Sequence, residues 1–195
     1  MKSDFYVVNV KEMLEEGGED VLRRIILDFV CPVNPDVQRF LREQAIEFAK
    51  RKQSVTYLVL EKATKKIVGY FTLAIKAISV NTDSFSNTMR RKIERVSKVN
   101  EQTGEYVLAA YLIAQLAKNF KDGMNKRISG ERLLQSAIDE ISGLQRRVGG
   151  TVVFLETDNT PKLINFYECN GFKKFAVRKR IAQDGSKLVQ LLKVM

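Results

Sequence analysis

The sequence predicts an α/β fold of the mixed α+β kind, in which helices cover both faces of a twisted, mostly antiparallel sheet. Strand-like segments in the first half follow one another as a hairpin, which indicates antiparallel pairing. In the second half strands alternate with amphipathic helices, which favours a mixed sheet between helical layers. With 45% apolar residues in 195, the chain can bury a complete core without disulfides or metals.

The first half predicts one strand, two helices and a hairpin. Phe5 to Val10 fits a short strand. The first helix has apolar residues recurring with a period near 3.6; they are Val21, Leu22, Ile25, Ile26 and Phe29. The second helix begins at Asn34, an N-cap residue followed by proline at the first helical position. Ser54 to Glu61 and Ile67 to Ile75 are rich in branched and aromatic residues and predict the antiparallel hairpin.

Residues 79–105 are predicted to be a basic insertion within a single domain that spans residues 1–195. Polar residues dominate its first part, and a basic amphipathic turn of helix follows from Met89 to Val96. We expect Met89, Ile93 and Val96 to face inward and the arginines and lysine between them to face water. The segment is too short to have a core of its own.

The second half predicts a long apolar segment, two helices and three strands. Tyr106 to Ala117 fits a helix or a buried strand equally well. Ser129 is placed to cap a helix that ends at Gly149-Gly150, and Thr151 to Glu156 follows as a buried strand.

The last elements are a helix and a hairpin. The helix runs from Thr160-Pro161 to Gly171. Strands near Phe172 to Arg180 and Leu188 to Val194 then flank a turn at Asp184-Gly185.

Composition restricts the chemistry. The chain has no histidine, which excludes serine or cysteine nucleophiles activated by imidazole, and imidazole metal ligands. Cys31 and Cys169 are expected to be reduced thiols. No apolar segment is long enough to span a membrane and the N-terminus lacks a signal-peptide pattern, so a cytoplasmic protein is expected. The net charge of +10 favours anionic partners, although a merely soluble basic surface would also explain it.

The segment Leu163 to Phe172, with sequence LINFYECNGF, resembles the last motif of the GNAT superfamily of acetyl-CoA-dependent N-acetyltransferases. The matching residues are Leu163, Ile164, Tyr167, Gly171 and Phe172. Thr160 stands where the family usually has asparagine, with Asn159 beside it. An ordinary amphipathic helix ending at glycine is the alternative interpretation.

The resemblance extends upstream, to the part of the family fold where a strand ends, a glycine-rich loop follows and a helix begins. It implies that Tyr106 to Ala117 is a strand. It also implies that the loop and the helix N-terminus bind the pyrophosphate of acetyl-CoA, because free N–H groups and the helix dipole attract anions there. Of the family's loop pattern, Asn125 to Gly130 keeps only Gly130, and four cations lie in or beside this loop: Lys118, Lys121, Lys126 and Arg127.

The resemblance implies a mechanism and a set of site residues. A bound amine attacks the thioester directly in a ternary complex, and no metal is required. Tyr167 is the candidate general acid for the departing thiolate, and the end of the strand offers backbone N–H groups to the thioester oxygen. The implied cofactor-binding residues are Leu116, Ala117, Lys118, Lys126, Arg127, Ile128, Ser129, Gly130, Glu131 and Thr160. Glu105 and Glu156 lie near the relevant strands, but each fits an ordinary surface carboxylate as well as a base.

Segments of the N-terminal half, including Phe40 to Ala45 and Val68 to Leu73, resemble the GNAT toxins of bacterial toxin–antitoxin systems. This implies an aminoacyl-tRNA acceptor, an antitoxin partner and a homodimer. Candidate tRNA contacts are Arg90, Arg91, Lys92, Arg95, Lys98, Arg146, Arg147, Arg178, Lys179 and Arg180. A protein or small amine remains an alternative acceptor. The other alternative is a non-catalytic module that binds acyl-CoA or nucleic acid.

Overall fold

The computed structural model describes residues 4–179 and 186–195. The chain divides into two compact units, which we call the first unit (Met1–Ala74 with Ala114–Ser142) and the second unit (Ile75–Ile113 with Gly143–Met195). Strands β3 (Ile67–Asn81) and β5 (Glu105–Lys118) and helix α6 (Gly130–Val148) each contribute residues to both. The single-domain assignment stays a prediction.

The first unit begins with strand and helix elements that surround an antiparallel ladder. In chain order they are β1 (Phe5–Asn9), α1 (Val10–Gly17), α2 (Glu19–Ile26), α3 (Pro35–Arg39), a π-helical turn (Phe40–Gln44), α4 (Ala45–Lys50) and β2 (Val55–Glu61). Strand β2 pairs antiparallel with β1 on one side and with β3 on the other. The predicted hairpin and the N-cap at Asn34 are confirmed, since the Asn34 side chain accepts hydrogen bonds from the Asp36 and Val37 N–H groups.

Two details of the N-terminal prediction are wrong. Helix α1 follows β1 directly, with Asn9 as its N-cap, and the apolar pattern missed it because half of its residues are charged. In α2, Leu22 and Ile26 are buried, but Val21 is 42% exposed. Val21 is at neither i+3 nor i+4 spacing from these two residues, so it lies off the stripe that Leu22 and Ile26 share at i, i+4 spacing.

The first-unit core lies where the N-terminal helices pack on β2 and β3. The Phe29 and Tyr70 rings meet edge to face with centroids 5.0 Å apart, and the Tyr70 hydroxyl donates a 2.6 Å hydrogen bond to the Val37 carbonyl. The Arg42 guanidinium, which the π-helical turn presents, donates to the carbonyls of Leu27 and Phe29 at 3.0 and 2.8 Å. These contacts fix the segment that connects α2 to α3.

The second unit contains β6 (Val152–Asp158), α7 (Pro161–Cys169), β7 (Lys173–Lys179) and β8 (Lys187–Val194). Its strand order is β5-β6-β8-β7. Strands β5 and β6 pair in parallel from Ala110↔Val152 to Ile113↔Leu155, and the other two pairings are antiparallel. The predicted mixed, mostly antiparallel α/β fold and the strand assignment of residues 106–117 are therefore confirmed.

The predicted insertion contains regular structure. Strand β3 continues through it to Asn81, and α5 (Asn87–Ile93) and the short β4 (Val99–Asn100) follow. Ile93 packs in the second-unit core, as expected. Val96 is 50% exposed, contrary to expectation, because α5 ends at Ile93 before its stripe reaches that position.

The predicted turn at Asp184-Gly185 and the candidate contact Arg180 lie outside the described residues. No described helix has both the length and the apolar character needed to cross a membrane.

Candidate functional site

The predicted phosphate-binding helix begins as the sequence indicates. The Ser129 hydroxyl accepts a 3.0 Å hydrogen bond from the Arg132 N–H, and the first intrahelical bond runs from the Leu133 N–H to the Ser129 carbonyl. The N–H groups of Gly130 and Glu131 precede that bond, so helical bonding within α6 does not satisfy them. The start of this 19-residue helix therefore provides donors and a positive dipole end for an anion.

The loop before α6 is a distorted 3₁₀ segment rather than a glycine-rich turn. Lys121–Lys126 has helical hydrogen bonding, but Asp122 and Gly123 within it adopt positive φ angles of 50° and 74°. Ile128, which stands where the family has a glycine, is buried. The chain thus enters α6 from a short 3₁₀ segment, and the buried side chain of Ile128 holds the end of the loop in the core.

The loop cations differ in how they are held. Lys118 Nζ donates to the Asn125 carbonyl at 2.9 Å, so it stabilises the loop backbone. Arg127 Nε lies 3.6 Å from Glu61 Oε1, and Lys121 is paired with Asp28. Lys126 is exposed. Surface pairs of this kind contribute at most about 1 kcal/mol, so Lys126 and Arg127 remain available to a phosphate group.

Gly69 on β3 was not predicted to belong to the site, but it lies beside the end of β5 and the first turn of α6. A Cβ atom at this position would lie 2.9 Å from the Ala117 carbonyl oxygen and 3.0 Å from both methyl groups of Leu133. Only glycine therefore allows β3 to approach both the end of β5 and the first turn of α6. The close approach depends on tertiary packing, so nothing in the local pattern indicated it.

Asn119, the residue directly after β5, was likewise not predicted to belong to the site. Its side chain is 2% exposed and hydrogen-bonds to four backbone groups of the first unit: Val30 N–H, Lys121 N–H, Asp28 carbonyl and Ile67 carbonyl. These partners lie up to 91 residues away in sequence. No pattern within one segment could have indicated them.

In the second unit, Tyr167 lies in α7 and is 9% exposed. Its ring meets Phe166 and Phe172 edge to face, with centroid distances of 5.0 and 5.9 Å. Among residues 4–179 and 186–195, its hydroxyl has no hydrogen-bond partner. Burial raises the pKa of Tyr167 to about 12, because a phenolate would be poorly solvated there. The phenol is therefore protonated at neutral pH and free to donate.

The ends of α7 explain the rest of the motif. The Thr160 carbonyl accepts bonds from the Leu163 and Ile164 N–H groups, both 3.1 Å, while its exposed hydroxyl makes no capping bond. Gly171 adopts a φ of 85°, which ends the helix as the sequence predicted. The Phe172 N–H then bonds to the Tyr167 carbonyl at 3.1 Å, so the motif holds the tyrosine's backbone in place.

Glu156 belongs to an ion pair in the described structure. The Arg178 guanidinium donates to both of its carboxylate oxygens, and Gln190 Nε2 donates to Oε1 at 2.7 Å. Burial opposes ionisation, but these hydrogen bonds and the charges of Arg178 and Lys76 outweigh it and hold the pKa of Glu156 below its usual value. A carboxylate whose pKa is lowered and whose oxygens already accept hydrogen bonds has a weak affinity for a proton and is a poor general base, so Glu156 stabilises the sheet instead.

The other predicted residues are distributed as follows. Glu105 is half-buried at the start of β5, opposite Asn100. Most of the candidate RNA contacts are exposed, namely Arg91, Lys92, Arg95, Lys98, Arg146, Arg147 and Lys179. Arg90 is half-buried and contacts the Phe85 carbonyl and Asp83, and Arg178 is committed to Glu156. The first unit holds the predicted cofactor residues from Leu116 to Glu131, and the second holds Thr160 and Tyr167.

No protein-family model matches the sequence, and comparison with curated protein sequences finds no match. Solved structures do match. AtaT complexed with acetyl-methionyl-tRNAfMet aligns with a TM-score of 0.62 at 14% identity, over 95% of this chain and 94% of that chain. A tyrosine-to-phenylalanine mutant of KacT aligns with a TM-score of 0.62 at 17% identity, over 96% and 94%.

A third similar structure is a mutant of the AtaT toxin bound to the C-terminus of the antitoxin AtaR and acetyl-CoA. It aligns with a TM-score of 0.59 at 16% identity, over 98% of this chain and 94% of that chain. At these identities the likeness concerns the fold. The resemblance in the C-terminal motif and the matches over nearly the whole chain agree: this chain has the GNAT fold.

Proposed function

We propose that this protein is an acetyl-CoA-dependent N-acetyltransferase in which Tyr167 is the general acid. The observation that carries the proposal is the Tyr167 phenol, which is buried, protonated at neutral pH and without a hydrogen-bond partner among the described residues. A phenol that makes no hydrogen bond to the described residues can donate one to an acceptor on a bound substrate. The acetyl-CoA complex of the structurally similar AtaT supports the choice of donor.

The proposed reaction uses few protein groups. The amine nitrogen attacks the thioester carbonyl carbon, and the N–H groups at the end of β5 stabilise the charge that develops on its oxygen. The carbon–sulfur bond then breaks, its electron pair leaves on sulfur, and Tyr167 transfers its proton to that thiolate. The nitrogen loses one proton to water, and the tyrosinate takes one proton back from water, so that amide and free thiol are the net products. Gly130, Glu131, Lys126 and Arg127 would hold the pyrophosphate of the cofactor.

Charged tRNA is the proposed acceptor. AtaT has been solved with acetyl-methionyl-tRNAfMet, and the present chain has a net charge of +10 with exposed cations on and after α5. Phosphate contacts by such residues supply most non-specific affinity for nucleic acid. An antitoxin protein and a second copy of the chain are proposed as further partners. Proteins and small amines are the competing acceptors.

Two measurements test the proposal. Calorimetry with acetyl-CoA should show saturable binding at one site per chain; a protein that binds no acetyl-CoA would refute the acetyltransferase. Labelled acetyl-CoA should then be offered in parallel to charged tRNA, uncharged tRNA, proteins and polyamines. Transfer to charged tRNA alone supports the tRNA acceptor, and transfer only to proteins or polyamines refutes it. Binding without transfer to any acceptor would favour the non-catalytic module.

A further inference from the structure

Asn119 joins three separate segments of the first unit. Its side-chain Oδ1 accepts hydrogen bonds from the Val30 N–H at 2.9 Å and the Lys121 N–H at 3.0 Å. Its Nδ2 donates to the Asp28 carbonyl at 3.1 Å and the Ile67 carbonyl at 2.8 Å. All four bonds that this buried amide makes are to backbone, so the residue fixes the course of the chain rather than another side chain.

Backbone bonds beside Asn119 strengthen the same junction. The Asn119 N–H donates to the Val68 carbonyl at 2.9 Å, and the Phe120 N–H donates to the Val30 carbonyl at 2.7 Å. The ion pair between Lys121 and Asp28 adds a contact at the surface. Residues 119–121 are thus attached to residues 28–30 and to the start of β3, and this attachment lies immediately before the loop 121–129.

We propose that Asn119 is a positioning residue that pre-organises the loop 121–129 for the pyrophosphate of coenzyme A. The inference rests on the proposed function. Of the family's glycine pattern the loop keeps only Gly130 at the start of α6, and Ile128 stands at the position of the middle glycine. The loop also contains a non-glycine residue, Asp122, with positive φ, which carries a backbone cost. A strained loop binds an anion well only if the rest of the chain fixes it beforehand, since ordering on binding reduces affinity.

The test compares Asn119→Asp with a matched variant of the same unit. Asn119→Asp has the same shape and keeps the acceptor oxygen, but it loses both donors to the Asp28 and Ile67 carbonyls. Thr56→Val is the control, because Thr56 is buried and its hydroxyl shares one 2.8 Å hydrogen bond with that of Thr72, which belongs to β3 and not to the loop. Asn119→Ala is the second variant, and urea unfolding of all proteins measures how far each is destabilised.

Two quantities should separate positioning from general stability. In Asn119→Asp, coenzyme A should bind about tenfold more weakly by calorimetry, because the binding-competent loop is then only a minor population. The weak binding of pantetheine, which lacks the pyrophosphate, should change less than about twofold by the same arithmetic. Hydrogen exchange of residues 121–129 in the free protein should accelerate about tenfold. Thr56→Val should change neither the loop exchange nor the affinity.

The outcomes distinguish this inference from the proposed function. If wild type binds coenzyme A and the Asn119 variants retain that affinity, or lose it only as much as Thr56→Val, the positioning role is refuted. Unchanged exchange of residues 121–129 also refutes it. If wild type binds no coenzyme A, the proposed function fails, while the exchange measurement still decides whether Asn119 orders the loop.

Discussion

The exchange of Tyr167 for phenylalanine removes one oxygen atom and leaves the ring contacts with Phe166 and Phe172 in place. The hydroxyl has no hydrogen-bond partner among the described residues. Its loss therefore breaks no hydrogen bond to a described residue of the free protein. We expect Tyr167→Phe to be at least as stable as wild type.

The same exchange should strongly impair catalysis. A general acid typically contributes about 10²–10⁴-fold in rate, which corresponds to a barrier increase of roughly 3–5 kcal/mol. Because the phenol is assigned to the departing thiolate, the loss should appear in kcat, while the Kd for acetyl-CoA changes less than about twofold. Release of coenzyme A thiol in the presence of the acceptor measures kcat, and calorimetry measures Kd.

Tyr111→Phe is the matched control in the second unit. The Tyr111 hydroxyl donates a 2.5 Å hydrogen bond to the Gly149 carbonyl, so this variant should lose about 1 kcal/mol of stability and keep its rate. The two variants are thus expected to differ in opposite ways: Tyr167→Phe loses rate and keeps stability, whereas Tyr111→Phe loses stability and keeps rate. Wild-type kcat in Tyr167→Phe, or a loss of rate that follows its melting temperature, would refute the assignment of the general acid.

The pH dependence follows from the same burial. The fold raises the pKa of Tyr167 from 10 to about 12, so it favours the neutral phenol. This contribution to stability is fully present below pH 10 and is lost as the pH rises through about 12. The near-ultraviolet difference between wild type and Tyr167→Phe should therefore show no phenolate below pH 10. A phenolate signal at lower pH would contradict the burial argument.

Three further substitutions test neighbouring parts of the structure. Glu156→Gln should lower the unfolding free energy by about 1–2 kcal/mol near neutral pH and leave transfer intact; because the pKa of Glu156 is lowered, the deficit should shrink in urea titrations as the pH falls through that value, below 4.5. Gly69→Ala should weaken coenzyme A binding about tenfold in calorimetry through its clash with the Ala117 carbonyl. Its control, Gly143→Ala, meets nothing within 4 Å and should stabilise α6 by about 0.5–1 kcal/mol, with unchanged affinity. Ser129→Ala should cost about 1 kcal/mol in urea unfolding through its lost cap; wild-type stability would mean that the cap contributes nothing.

Sequence predicted the features whose causes are local. Asn34 and Ser129 cap helices because their side chains reach N–H groups two or three residues ahead. Gly149 and Gly171 end helices because they adopt positive φ. The apolar residues 106–117 contain no local feature that distinguishes a strand from a helix, and only the family resemblance predicted a strand there.

The features that sequence missed depend on register between distant segments. Glu156 acquires Arg178 and Gln190, which are 22 and 34 residues away, because β6, β8 and β7 align in one particular register. A carboxylate near a strand end therefore fitted a surface or a catalytic role equally well in the sequence. Asn119 is similar: a polar residue after a strand predicts a turn, and only the fold supplies four backbone partners.

The ion pair between Glu156 and Arg178 affects which amine can serve as acceptor, because it leaves Glu156 a poor base. The chain has no histidine, so an amine that arrives protonated would depend on a weak base or on water. The neutral fraction of the free amine then decides the rate. An α-amino group with a pKa near 7.7–8.0 is roughly one-third neutral at pH 7.5, whereas a lysine side chain with a pKa near 10.4 is about 0.1% neutral. That difference of about 300-fold favours an α-amino acceptor such as the amino acid of a charged tRNA over a protein lysine.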